Sequence, residues 1–467
     1  MPTQVRELAL PYRRGSDLLA LAFGTTVTMW TLGYIGRFPG VNAPAWLLMA
    51  LLLACLFVCG WASNRLAGRG PAGGLRVGLL VGVLNLLILG GLLASGDQTN
   101  RLVPSALWWL PGSLLVAGGL SLLGALLGHR LRGGAPGGRP GGGEAANGAG
   151  SPLARHGLPA FAAVTAAATF LLLIAGGIVT GNQAGLAVVD WPNSYGYNMF
   201  LYPLSRMTGG IYYEHVHRLL GSLVGLSTVV LAVHLWRVED RRWLRRLGLL
   251  AVILVVAQGV LGGLRVTGHF TLSDDPDVTR PNLALAVIHG IAGQLFFALM
   301  VAITAVTTRL WREAPALARA AAPEQTRPAA ATGGLDRRLS AWLLGVLILQ
   351  LGLGAVLRHT DSGLHAHITV AVLALCLGVV LGSRLVLRQA GRPALRRLGQ
   401  LLLHGVIAQL IVGFAALIAR NLVAGEGQPH PAGVAITTIH QALGALLLAG
   451  AVLSVLWTRR LLRTAVV

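Results

Sequence analysis

Long apolar runs alternate with short polar breaks along the whole of this 467-residue chain. A helix needs about 20 mainly apolar residues to cross the hydrocarbon core of a bilayer. Twelve segments meet that length, near 17–36, 43–63, 75–95, 104–128, 159–180, 212–236, 245–266, 282–308, 339–358, 363–384, 397–420 and 434–458. The pattern predicts an all-α polytopic membrane protein. Two breaks are much longer than the rest: 131–157 is rich in Gly, Pro and Arg, and 310–337 in Ala, Pro and Arg. Read as linkers, they divide the chain into an N-terminal four-helix membrane part (1–130), a flexible linker (131–157), a first four-helix repeat (158–309), a cytoplasmic linker (310–337) and a second repeat (338–467).

Composition agrees with the pattern. Only 11% of residues are charged and 54% are hydrophobic, whereas soluble domains carry about 25% charged residues. The formal charge of +21 comes entirely from arginine, since the chain has no lysine. Such a charge could mark a nucleic-acid partner, but here the arginines sit in the breaks between apolar runs. With the N-terminus placed in the cytoplasm, 29 of the 37 fall at inner loops and ends. That is the positive-inside signature of topology, not a phosphate-binding face. The expectation is a bacterial-type inner membrane protein with both termini cytoplasmic and no nucleic-acid partner. Cys55, Cys59 and Cys376 all lie within apolar runs, where cysteine acts as a small hydrophobe. No small-residue cleavage site follows the first run, so it is expected to remain as a helix.

The last eight helices repeat. Gln258…Gly262, Gln350…Gly354 and Gln409…Gly413 place Gln four residues before Gly on outward-running helices, and Gly176-Gly177 stands at the comparable place in the helix that opens the series. The three Gln-bearing helices end at Arg265, Arg358 and Arg420. Inward-running helices carry histidines in register: Glu214-His215-Val216-His217 matches Leu364-His365-Ala366-His367, and Ile288-His289 matches Ile439-His440. Small residues let helices or a flat ligand approach closely, and a recurring histidine pair in a helical repeat is a site signal.

At 1.5 Å per residue these histidines lie roughly 7–13 Å inside the outer boundary. Imidazole is the usual axial ligand of haem iron, and facing helices of a four-helix bundle can supply two. We therefore expect His217 to pair with His289 and His367 with His440, with Arg218, Arg265, Arg358 and Arg420 placed to bind haem propionates. His215 and His365 point from another helix face and are the alternative ligands if the register differs. The arginines could instead be interfacial anchors, and His234 and His404, nearer the inner side, packing residues. His269, His359 and His430 are outer and unassigned. Glu214 has no counterpart in the second repeat. It suits a proton donor or acceptor at a haem edge, or an anion facing positive charge on a substrate intermediate; an ion pair with Arg218 or Arg265 is the structural alternative. The aromatic-rich loop 181–212 could form a lid.

Gly181 to Asp190-Trp191-Pro192, then Glu214-x-x-His217-Arg218, His289 and finally His440-Gln441, resemble the haem A synthase family over residues 159–460. That family converts haem O to haem A, the cofactor of cytochrome c oxidases, by oxidising a ring methyl to a formyl group. The resemblance implies catalysis by Glu214, a substrate haem between His217 and His289, and a haem b between His367 and His440. It also implies haem O as substrate, possible delivery by a haem O synthase, an electron donor of unknown identity and a possible homo-oligomer. Three departures are visible. Residues 181–212 lack the cysteine pair many members carry, Ile368 stands where an arginine is usual, and residues 1–130 have no counterpart. Two rivals are a dihaem cytochrome relaying electrons from quinol, with Glu214 as a quinol proton acceptor, and a transporter built from repeats. The asymmetry between repeats favours the enzyme over the first, and unbroken helices with polar groups at one face disfavour the second.

Overall fold

The computed structural model describes residues 15–96, 98–133, 152–267, 276–320, 328–422 and 429–462. Among these, twelve helices are long and apolar enough to span a membrane. In chain order they are α1 (Ser16–Gly36), α2 (Ala45–Arg65), α3 (Gly70–Leu92), α4 (Ala106–Gly133), α5 (Pro152–Gly181), α6 (Gly209–Val238), α7 (Arg242–Val266), α8 (Pro276–Thr307), α10 (Pro328–Thr360), α11 (Leu364–Arg388), α12 (Pro393–Leu422) and α13 (Pro431–Leu461). The protein is thus an all-α polytopic membrane protein.

A thirteenth helix, α9 (Arg309–Ala320), is too short to span. Where it is described, the stretch 310–337 read as a linker holds α9 and the first turns of α10. Ala, Leu and Arg, which dominate α9, are among the best helix formers. Of the 131–157 linker, residues 134–151 lie outside the described residues.

The chain packs as two compact units, one of residues 1–164 with 233–240, the other of 165–232 with 241–467. In the first, helices meet backbone to backbone. A Cβ on Gly60 of α2 would fall 1.7 Å from the Ser121 carbonyl oxygen of α4, and one on Gly124 2.0 Å from that of Phe57. Only glycine permits this, the small-residue packing typical of membrane helices. Several polar groups in the unit are paired. Arg69 forks onto both oxygens of Asp17 at 2.6 and 2.7 Å, and Ser16 bonds His234 at 2.6 Å.

In the second unit, α10–α13 enclose a core in which Leu343, Leu381, Leu385, Leu395 and Leu402 are fully buried. A smaller cluster, with Phe297, Ala445 and Ala449 at its centre and Phe170 and Leu173 against it, ties α5 and α8 to α13. Many remaining large apolar side chains face outward, such as Ile411 and Phe414 of α12. That is the expected distribution when lipid, not water, surrounds the helices. All three cysteines are free.

Candidate haem-binding site

Between α5 and α6 the loop 182–208 folds into a small structured piece. Asn193–Ser194 (β1) pairs antiparallel with Tyr197–Asn198 (β2). The two turn residues, Tyr195 and Gly196, have φ of 51° and 76°, the double left-handed conformation of the favoured two-residue hairpin. The Asp190 carboxylate accepts from the backbone N–H of both, at 2.6 and 2.8 Å, and the Tyr195 hydroxyl donates to the Ala187 carbonyl. Burial and the nearby carboxylates of Glu214 and Asp190 push the Tyr195 phenol above its ordinary pKa.

Three side chains near the start of α6 hold this loop. Arg218 donates to the carbonyls of Val188, Asp190 and Asn193 at 2.6, 2.6 and 3.0 Å, and to Glu214 Oε1 at 2.7 Å. Glu214 Oε2 accepts from the Val188 N–H at 2.8 Å. Glu214 is 4% exposed, so both its oxygens are committed to charge-assisted bonds away from water. His215, 1% exposed, bonds Ser194 at 3.1 Å and stacks at 5.0 Å on Tyr202.

One helical face further round, His217 turns the other way and meets His289 of α8, with ring centroids 6.5 Å apart and planes at 77°. His367 of α11 and His440 of α13 face each other equivalently, at 6.4 Å and 69°. An atom ligated by both rings through bonds of about 2 Å, with about 1 Å more from each nitrogen to its ring centre, requires centroids about 6 Å apart. His365 is exposed and His215 is taken up by the loop. The facing pairs are therefore 217 with 289 and 367 with 440.

Each of the four rings rests on a glycine of a neighbouring helix. A Cβ on Gly176 (α5) would lie 3.1 Å from His217 Cε1, on Gly262 (α7) 3.6 Å from His289 Cε1, on Gly354 (α10) 3.1 Å from His367 Cε1, and on Gly413 (α12) 3.0 Å from His440 Cε1. The Gln four residues before such a glycine reaches the ring in the second repeat. Gln350 Nε2 lies 3.1 and 3.2 Å from the two nitrogens of His367, and Gln409 Nε2 3.4 Å from His440 Nε2.

The donor set fits a haem bound at each pair. His217, His289 and His440 each keep a buried Nδ1 without a hydrogen-bond partner, as do the Nε atoms of Arg265 and Arg358. Leaving such groups unmet is costly, and a carboxylate-bearing ligand with a metal centre would satisfy both kinds. Arg265 lies against Gly185, where a Cβ would come within 2.7 Å of its guanidinium. Arg358 donates to the Gly177 carbonyl at 3.1 Å. Arg218, expected beside a propionate, instead spends its hydrogen bonds on Glu214 and the loop. The side chain of Arg420 lies outside the described residues, as does His269. Among the described residues, no group of three or more His, Cys, Asp or Glu is placed to hold a metal ion. His404 bonds its own helix at Gln400, and His430 caps the start of α13.

Residues 159–369 match the family model COX15-CtaA, described as cytochrome oxidase assembly protein. Over these residues the chain is similar to that family. Two curated relatives are each described as a haem A synthase. One, from Beijerinckia indica subsp. indica, is 28% identical over 225 residues, covering 42% of this chain and 56% of the relative. The other, from Lysinibacillus sphaericus, is 32% identical over 118 residues, covering 24% of this chain and 37% of the relative. The chain thus spans about half or less of the length of these curated relatives. The match covers the Glu214 segment, both residues of the first histidine pair, and His367.

Proposed function

We propose that this protein is a haem A synthase, a membrane oxidoreductase that oxidises the ring methyl of haem O to the formyl of haem A for cytochrome c oxidase assembly. The observation that carries the reading is the pair of like imidazole couples, 6.5 and 6.4 Å apart, of which only the first has a buried carboxylate one turn away. A pure electron relay has little use for that asymmetry, and neither relative's description is that of a relay.

In this reading His217 and His289 flank the substrate haem O, and His367 and His440 hold a resident haem b. Haem b, when bound, supplies one-electron redox chemistry. Arg265 and Arg358 offer unmet guanidinium donors for propionates, with Arg420 the corresponding residue of α12. Arg218 and the Val188 N–H both point donors at the oxygens of Glu214. A preorganised negative charge of this kind stabilises positive charge that develops on a reacting ligand. That supports the electrostatic role over proton transfer. The loop 182–208, stapled to α6 by Glu214, His215 and Arg218, then keeps water from the outer end of the site.

By the positive-inside distribution of arginines, both termini are cytoplasmic and the sites lie toward the outer face of a bacterial-type inner membrane. Residues 1–130 form an additional membrane part, ahead of two repeats at 158–309 and 338–467. Partners in this reading are haem O, a haem O synthase that delivers it, an electron donor and a further copy of the chain. The test is Glu214→Gln in purified protein from cells that make haem O. Haem binding retained with haem A formation lost supports the assignment; undiminished haem A removes Glu214 from the reaction.

A further inference from the structure

Away from the histidines, the opposite ends of α10 and α13 form a second polar feature that the haem chemistry does not use. Two clefts adjoin there. One, of about 310 Å³, is lined by Gly334, Arg337, Arg338, Ala341 and Arg459. The other, of about 210 Å³, is lined by Trp311 of α9, Val455, Leu456, Arg459 and Arg460. We propose that they form a binding site for the phosphate headgroup of an anionic membrane lipid.

The four arginines divide by role. Arg337 donates to the Leu462 carbonyl. Arg460 donates through Nε and Nη2 to the Trp311 carbonyl at 3.1 and 3.0 Å, and its guanidinium sits 5.1 Å over the Trp311 ring. Trp311 in turn packs on Trp457 at 5.3 Å. These two arginines build the walls. Arg338 and Arg459 are exposed and make no hydrogen bond or ion pair with another described residue.

Nothing on the surrounding helices offsets that charge. The helices α9, α10 and α13 carry only two carboxylates, Glu313 and Asp336. Glu313 pairs with Arg309. Asp336 is fully buried and accepts from Arg384 at 2.7 Å and Gln389 at 3.0 Å. Guanidinium forks match phosphate oxygens in pairs, so a phosphate relieves the mutual repulsion of the free pair. The second cleft adds Trp311, Val455 and Leu456, apolar walls suited to the glycerol and first acyl carbons. Free phosphate would leave those walls unused. The short helix α9 carries Trp311, and tryptophan favours the headgroup level.

The experiment uses full-length purified protein in detergent, stripped of lipid and titrated with phosphatidylglycerol, phosphatidylcholine or inorganic phosphate. Native mass spectrometry reads bound lipid, and thermal unfolding reads the consequence. Phosphatidylglycerol should bind about tenfold more tightly than phosphatidylcholine, the factor for one charge-assisted contact. Arg338→Gln/Arg459→Gln should abolish that preference, and Arg459→Gln alone should reduce it. Arg396→Gln/Arg397→Gln removes the same charge from exposed positions outside the clefts and should leave the preference intact. Equal loss in that control would show general surface attraction and overturn the site. So would an unchanged preference in the cleft variants. Inorganic phosphate stabilising the protein as much as phosphatidylglycerol would overturn the lipid assignment.

Discussion

The four glycine seats yield a graded prediction. Alanine at Gly413 would place its Cβ 3.0 Å from His440 Cε1, and at Gly176 or Gly354 3.1 Å from His217 or His367. Carbon atoms prefer about 3.5–4.0 Å, so each of these rings must retreat by about half an ångström. At Gly262 the same change leaves 3.6 Å to His289 Cε1, an ordinary contact. Overpacking of this kind costs about 1–3 kcal/mol, a factor of about 5 to 150 in an occupancy that depends on ring position. Alanine also favours the helix over glycine by about 1 kcal/mol. Gly413→Ala should therefore lose haem while the helix gain offsets part of the overpacking cost, so that helical content is retained. Haem per chain and reduced-minus-oxidised spectra of the four purified variants are the assay. Gly262→Ala should resemble the parent. Equal loss at Gly262 and Gly413, or no loss at any seat, would refute the reasoning.

Other expectations follow from single contacts. His367→Ala or His440→Ala should remove the haem b signal and leave the first site filled, read by spectroscopy; an unchanged spectrum would break the second-site assignment. In the first unit, Asp17→Ala removes both acceptors of the Arg69 fork and should cost up to about 3–5 kcal/mol, seen as a lowered thermal midpoint. Ser194→Ala removes one partner of buried His215 and should loosen the loop, raising hydrogen exchange at 186–198 without changing haem content. The Tyr195 phenol should ionise above the ordinary value of about 10. Its raised pKa adds stability that is present below that value and lost as pH rises past it; ultraviolet phenolate absorbance should follow that order.

Much of this was legible in the sequence because membrane spans leave a coarse, redundant signal: long apolar runs punctuated by arginine. The histidine pairs were legible for a different reason, since an internal repeat turns His217 and His367 into mutual controls, as it does His289 and His440. The Gln–Gly spacing hinted at close approach, but only the folded chain places Gly176, Gly262, Gly354 and Gly413 under the imidazoles. The fate of Arg218 was not legible as a single answer. An arginine beside a site suits a propionate or a carbonyl equally well, and the loop that claims it is settled by the tertiary hydrogen bonds that Arg218 donates to the carbonyls of Val188, Asp190 and Asn193. The helix α9 was hidden by its proline and alanine, which read as a linker in isolation and as a helix once Trp311 packs on Trp457.

The most direct test of the central claim is chemical identification of the haems. Full-length protein, purified from cells that make haem O, is extracted and its haems are separated by chromatography. Haem A or its hydroxylated precursor beside haem b is the predicted result. Haem b alone at two per chain would contradict the synthase reading, and no haem at all would contradict the role given to both histidine pairs.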